Sequence, residues 1–162
     1  MMISFEVQPN DKFHLRAASV VIHNGRVLFQ KPVELDLWFL PGGRVEYYET
    51  AEVALRREMM EEFGVEVVSS QLLWMVENFF EETVSGSRVH EVGMYHLVEI
   101  PEDHPIRMHE GEFAGLEEGY VHRWIAFDEL DQYNIVPAFV TPALRELSES
   151  KQFKHIVNRE VR

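Results

Sequence analysis

The 23 residues from Gly43 to Val65 read GRVEYYETAEVALRREMMEEFGV. Thr50 to Phe63 has the pattern of a helix, closed by Gly64 as its C-terminal cap. An ideal helix turns about 100° per residue, so with Ala51 at zero Leu55 falls near ~40°, Ala54 near ~300°, Glu58 near ~340° and Glu62 near ~20°. The two glutamates therefore share the face of the small apolar residues. Glu61 follows at about ~280° on the flank of that face, and three acidic side chains crowd into little more than one turn. Like charges at this spacing repel by a few tenths of a kcal/mol per pair when solvated, and by far more when buried. The arrangement calls for a cation. A hard divalent ion, Mg²⁺ or Mn²⁺, takes oxygen ligands and keeps waters and substrate phosphates in the rest of its shell.

Working outward, Ala18 to Ile22 and Arg26 to Gln30 are apolar and β-branched on either side of Asn24-Gly25, a dipeptide suited to a tight hairpin. Trp38-Phe39-Leu40 leads into the turn Pro41-Gly42-Gly43. Val65 to Val68, Leu72 to Phe80 and Gly93 to Ile100 read as strands, with Glu82 to Arg88 as a polar turn. Pro101 to Gly119 reads as a loop, Tyr120 to Ala126 as a strand, and Pro142 to Glu149 as a short helix with proline in its first turn. The expected fold is α/β (α+β), a mixed β-sheet sandwiched between helices. No repeat or linker divides residues 1–162, so one domain is expected.

Composition narrows the chemistry. Hydrophobic residues make up 46% and charged residues 27% of the chain, the balance of a soluble globular protein. Its apolar runs fall short of the roughly 18 residues a membrane span needs, and the N-terminus lacks a secretory pattern, so a cytoplasmic location is expected. Without cysteine there are no disulfides, thiolate metal sites or cysteine nucleophiles. A formal charge of −13 argues against a nucleic acid polymer as partner. An acidic protein acting on an anion needs cations at its site.

Taken alone, a Glu-rich helix reads as a solvated exterior. The spacing around this one says otherwise. Gly43, Glu49, Arg57, Glu58, Met59, Glu61, Glu62, Gly64 and Val65 fill every specified position of G-x5-E-x7-R-E-U-x-E-E-x-G-U, where U is a bulky aliphatic residue. The chain thus resembles the Nudix hydrolases, of the MutT-like kind. The resemblance implies a loop, helix and loop holding divalent ions against a diphosphate. Glu58 and Glu62 match the principal metal ligands, Glu61 a further ligand or water-orienting carboxylate, and the carbonyl of Gly42 a backbone ligand. Arg57 matches a residue that orients the carboxylates, Glu49 its partner, and Gly43 and Gly64 positions of tight backbone geometry. The expected reaction is metal-dependent attack of water on phosphorus in a nucleotide or nucleoside-diphosphate derivative, without a covalent enzyme intermediate.

Two other functions on this scaffold are weighed. An isomerase of the isopentenyl diphosphate kind resembles a reaction needing a catalytic cysteine, which this chain lacks. A non-catalytic nucleotide-sensing or scaffold domain commonly loses the box carboxylates, all of which are kept here. The residues that mark ADP-ribose and dinucleoside polyphosphate hydrolases are not matched by Phe80-Glu81 or Glu82-Thr83, which leaves a nucleotide clean-up role ahead. A homodimer formed through the N-terminal segment is left open.

Outside the box, MutT-like members place a catalytic glutamate some six residues before a tryptophan that begins a strand. Counting back from Trp124 gives Glu118 as a catalytic residue and metal ligand, with Glu117 beside it; the simpler reading is a solvated turn. A base-pairing asparagine of 8-oxo-dGTP hydrolases is replaced by Phe139 after Val136-Pro137-Ala138, so Phe139 could pack on a base but not read it by hydrogen bonds. Glu91, or His90 beside it, reaches the substrate if that strand crosses the cleft. His90-Glu91 lacks a second histidine at the HExxH spacing. Trp38, Trp74, Phe79, Phe80 and Trp124 are expected in the core, although Phe79 and Phe80 cannot both face one side of a strand.

Overall fold

The computed structural model describes residues 1–147 and 149–160. Asn24 and Gly25 adopt φ values of 49° and 70°, as a tight hairpin requires, and join β3 (Ile22–His23) to β4 (Arg26–Pro32). The other strands are β1 (Ser4–Gln8), β2 (Asp11–Val20), β5 (Gly42–Arg44), β6 (Ser69–Glu81), β7 (Arg88–Glu99), β8 (Phe113–Ala114), β9 (Tyr120–Ala126) and β10 (Lys154–Glu160). They form two sheets. One runs β1-β2-β7-β6-β10 with β5 also on β2; the other runs β3-β4-β9-β8. The larger sheet is mixed, because β2 pairs with β7 and β6 with β10 in parallel while its remaining pairs are antiparallel.

Two helices, α1 (Ala51–Phe63) and α2 (Val140–Leu147), cover opposite faces of the larger sheet. Successive residues of β2 show this, since side chains alternate along a strand. Ala17 belongs to the core cluster of Leu55, Met59 and Phe63 from α1, whereas Ala18 belongs to the cluster of Val140, Ala143 and Leu144 from α2. The mixed sheet between helices matches the expected fold class.

Several local expectations are corrected. Val65 to Val68 is not a strand: Val65 and Val67 are buried under α1, and the Val67 carbonyl accepts from Arg56 Nη1 at 2.7 Å, so this backbone is satisfied outside any ladder. The strand begins at Ser69 instead. The short helix starts at Val140, two residues before Pro142, and Ser148 of the expected range lies outside the described residues. β1 and β10 were not anticipated; both are edge strands with mostly exposed side chains, and β10 carries no apolar alternation, whereas Phe5 and Val7 of β1 do alternate with polar residues. The loop from Pro101 holds a 3-10 turn at Pro105–Met108 and the strand β8. Trp38, Trp74 and Trp124 are core residues, but Phe79 and Phe80 are not: they lie on opposite sides of β6, both half-buried. No helix among the described residues is long and apolar enough to cross a membrane.

Candidate active site

Thr50 caps α1 by accepting the Val53 N–H at 3.1 Å, and Gly64, at φ 65°, donates its N–H to the carbonyls of Met59 and Met60. With both ends fixed, the rotation of the helix decides where each carboxylate goes. Glu62 points inward and is 4% exposed, Glu58 is half-buried, and the Glu61 side chain is 58% exposed. The three expected carboxylates thus meet three different environments.

Arg57 ties the preceding loop to the helix. Its Nη2 donates to Glu49 Oε1 at 2.6 Å and its Nε to Glu49 Oε2 at 3.3 Å, a bidentate pair. Nη1 donates to Glu58 Oε1 at 2.9 Å and to Glu61 Oε2 at 3.4 Å, and Nη2 also reaches the Arg44 carbonyl at 3.2 Å. Glu49 in turn accepts the Glu46 backbone N–H at 2.7 Å, and its carboxyl is held below the usual range, chiefly by Arg57. The guanidinium is raised above its ordinary value by the same contacts.

Glu58 and Glu62 shift the other way. Burial is the main cause in both, and for Glu62 the charge of Glu58 adds to it, pushing the carboxyl up to about 8. Glu62 Oε2 is fully buried and has no hydrogen-bond partner. Gln30, itself buried, lies near enough to offset a small part of the upward shift. Gly43 supplies the space for Glu58: a Cβ built there would stand 2.2 Å from Glu58 Oε1. Gly42 is equally constrained, since its Cβ would fall 2.2 Å from the Ala17 carbonyl oxygen. Among the described residues no three carboxylate or imidazole groups converge on one point, because Arg57 draws Glu58 and Glu61 to itself. The donor set still suits a hard divalent ion: hard oxygens, a raised pair and one buried oxygen without a partner.

The loop before β9 closes against this helix. The Leu116 N–H donates to the Glu62 carbonyl at 2.8 Å, and a Cβ at Gly115 would lie 2.6 Å from that same oxygen. Both Glu117 and Glu118 are exposed, yet it is Glu117 whose charge raises the Glu62 carboxyl. Counting back from Trp124 gave Glu118, which lies next to Glu117 on this loop and is equally exposed.

Beside these carboxylates opens a cleft of about 500 Å³. Arg16 and Arg44 line it, as do Phe39 and Phe80. Arg16 connects the two regions, because it lines the cleft and its charge acts favourably on both Glu58 and Glu62. Glu91 lines the cleft as well, 7% exposed, in direct register with His14 on β2 and Asn78 on β6. Phe139 does not line it. Its ring is 8% exposed and packs edge-on against Trp74 and Tyr95, so it is occupied in the core, while Val136, Pro137 and Val140 form that wall. Arg16, His14 and Asn78 were missed in the sequence; an alternating strand gives no sign of which polar residue faces a cleft.

The NUDIX domain pattern matches residues 13–149. An 8-oxo-dGTP diphosphatase of Buchnera aphidicola subsp. Schizaphis graminum is 27% identical over 105 residues, 65% of this chain and 68% of that protein. The CTP pyrophosphohydrolase of Escherichia coli K12 is 28% identical over 128 residues, 75% of this chain and 82% of that one. The crystal structure of a mutator MutT protein from Bacillus halodurans aligns with a TM-score of 0.61 at 18% identity, covering 91% of this chain and 90% of that chain, a likeness of fold. With the pattern spanning most of the sequence and the same architecture in the fold, the chain belongs to the NUDIX domain family.

Proposed function

We propose that this chain acts as a single-domain, divalent-cation-dependent pyrophosphohydrolase that cuts a diphosphate linkage in a small nucleotide. The observation that carries the reading is the buried Oε2 of Glu62, without a hydrogen-bond partner among the described residues, near Glu58, with the charge of Arg16, which lines the cleft together with Arg44, acting on both carboxyls. The names of the relatives, an 8-oxo-dGTP diphosphatase and a CTP pyrophosphohydrolase, support a nucleotide substrate.

Glu58 and Glu62 would hold Mg²⁺ or Mn²⁺, with the Gly42 carbonyl and Glu61 as further ligands. The bound ion supplies charge neutralisation of phosphate oxygens and a more acidic water. The protein does the rest. Arg16 and Arg44 take the phosphate end of the substrate, and Gln30 fixes the Glu62 carboxylate. Arg57 positions Glu58 and Glu61 from behind. A carboxylate of the 115–119 loop, Glu117, accepts the proton of the water that attacks phosphorus, and the bridging P–O bond breaks to release two phosphate products. Glu118, expected for that part, is the alternative on the same loop.

The test is an assay with Mg²⁺, with Mn²⁺ and with EDTA over nucleoside triphosphates, nucleotide sugars, ADP-ribose and dinucleoside polyphosphates. Glu62→Gln removes a charged ligand and almost no volume, so it should keep the fold and lower kcat by roughly 10³-fold. Undiminished turnover in EDTA, or in Glu62→Gln, would refute the reading.

A further inference from the structure

Four strands of the larger sheet place one polar residue each in a single cross-strand row. His14 on β2 pairs with Glu91 on β7, Glu91 with Asn78 on β6, and Asn78 with Asn158 on β10. Cross-strand partners share a face, and here it is the cleft face: His14, Glu91 and Asn78 all line the cavity. They are nonetheless buried, at 4%, 7% and 1% exposure. Their polar atoms are only partly satisfied. Asn78 Oδ1 accepts from Asn158 at 2.8 Å, while Asn78 Nδ2 and His14 Nε2 have no partner among the described residues. The Glu91 carboxylate faces His14 Nδ1 at 3.9 Å, beyond hydrogen-bond range.

A buried donor or acceptor left open costs about 1–3 kcal/mol, so a row of them across a sheet is poor packing unless a ligand completes it. The row offers one amide donor, at Asn78, beside an acceptor with two oxygens, at Glu91. A ligand edge that fits must carry an acceptor next to two adjacent donors. Guanine has that edge, with O6 followed by N1–H and the 2-amino group. Adenine, cytosine and uracil each present one donor group on the same edge and leave half of the carboxylate unused. Phe39 and Phe80, also in the lining, supply apolar walls against which a planar ring can stack. Arg16 and Arg44 lie in the same cavity for the phosphates.

We propose that Asn78 and Glu91, with His14 at the end of the row, read the hydrogen-bonding edge of guanine and make a guanine nucleotide the preferred substrate. The inference rests on the proposed nucleotide pyrophosphohydrolase activity and assigns the residues that choose its base.

The experiment compares kcat/KM for GTP, ITP, ATP, CTP and UTP with Mg²⁺, in the wild-type chain and in Glu91→Gln. ITP differs from GTP only in lacking the 2-amino group. GTP should exceed ITP by about tenfold or more and ATP by about 10²-fold or more, since a site built to hydrogen-bond a group rejects the analogue without it. Glu91→Gln should bring GTP and ITP to within about threefold of each other through loss on GTP alone. If the variant does not fold, the wild-type ratio of GTP to ITP decides, because that comparison edits the substrate. A wild-type ratio below tenfold, or one that Glu91→Gln leaves unchanged, overturns the assignment while the hydrolase reading stands. Failure to hydrolyse any of the five, with turnover of a nucleotide sugar, ADP-ribose or a dinucleoside polyphosphate, overturns this assignment alone; failure on those as well overturns both.

Discussion

The box helix and the cleft floor each bury charged or polar groups, and they settle the cost in opposite ways. On α1, Arg57 satisfies Glu49, Glu58 and Glu61 internally and leaves one oxygen, on Glu62, without a partner. On the floor, no arginine among the described residues pairs with Glu91, and open atoms recur on His14 and Asn78. The helix is organised around a charge that every substrate of the reaction shares. The floor is organised around hydrogen bonds that differ from one base to the next. Damage to the helix should therefore lower all substrates together, and damage to the floor should change their ranking.

The largest effect expected is that of Glu62→Gln: roughly 10³-fold in kcat, the same for each nucleotide within about threefold. Panel kinetics check this, and a base-dependent loss would break the separation between the two regions. Next in size is the loop. Glu117→Gln should cost about 10²-fold in kcat with little change in melting temperature, whereas Glu118→Gln stays near wild type. Kinetics of the two variants side by side decide the matter; the reverse pattern would restore the assignment made from the spacing to Trp124.

These two regions also differ in how far they could be read beforehand. The box is contiguous, and helical periodicity converts spacing into a face, so the placement of Glu58, Glu61 and Glu62 around α1, the close approach at Gly43 and the capping by Gly64 were legible in the sequence. The floor is not contiguous. His14, Asn78, Glu91 and Asn158 come from four strands, and their row exists only through register. Glu91 was singled out by its neighbour in sequence, and Asn78 not at all. Phe139 shows the opposite failure: its place where MutT-like members carry an asparagine suggested a contact with the base, but its ring packs against Trp74 and Tyr95. Of the edge strands, β10 carries no apolar period, whereas β1 does carry one at Phe5 and Val7, and the supposed strand Val65 to Val68 was an apolar run tucked beneath a helix.

Base selection at the floor leaves little room for discrimination at the far side of the ring. A guanine held by its O6, N1 and 2-amino edge is held there whether or not C8 is oxidised, and Phe139 offers no hydrogen bond. The preference for 8-oxo-dGTP over dGTP should stay below about a hundredfold in kcat/KM, equivalent to roughly 2.7 kcal/mol. A larger ratio would mean that another group reads the oxidised face.

The smallest effect concerns stability without metal, where the helix and the sheet behind it pull in opposite directions with pH. Burial and the Glu58 charge raise the Glu62 carboxyl from 4.5 to about 8. In the unfolded chain this carboxyl ionises near 4.5, so between there and about 8 the folded state binds more protons and stability falls as pH rises. His122 is fully buried on β9 beside Phe63 and Phe113, with neither ring nitrogen partnered. Burial lowers it from 6.5 to about 4, so between about 4 and 6.5 the unfolded state binds more protons and stability rises with pH. The two slopes oppose each other up to pH 6.5, and above it only Glu62 is left. At about 1.4 kcal/mol per pH unit, the interval from pH 6.5 to 8 costs on the order of 2 kcal/mol, or roughly 4–8 °C in Tm for a chain of this size. Thermal melts in EDTA should show that fall, and Glu62→Gln should flatten it. Saturating Mg²⁺ should raise Tm more at pH 8 than at 6.5, because at pH 8 the Glu62 carboxyl is already about half ionised and binding displaces fewer protons. A metal-free profile that is level from pH 6.5 to 8 would mean that the Glu62 carboxylate finds compensation that its buried position does not show.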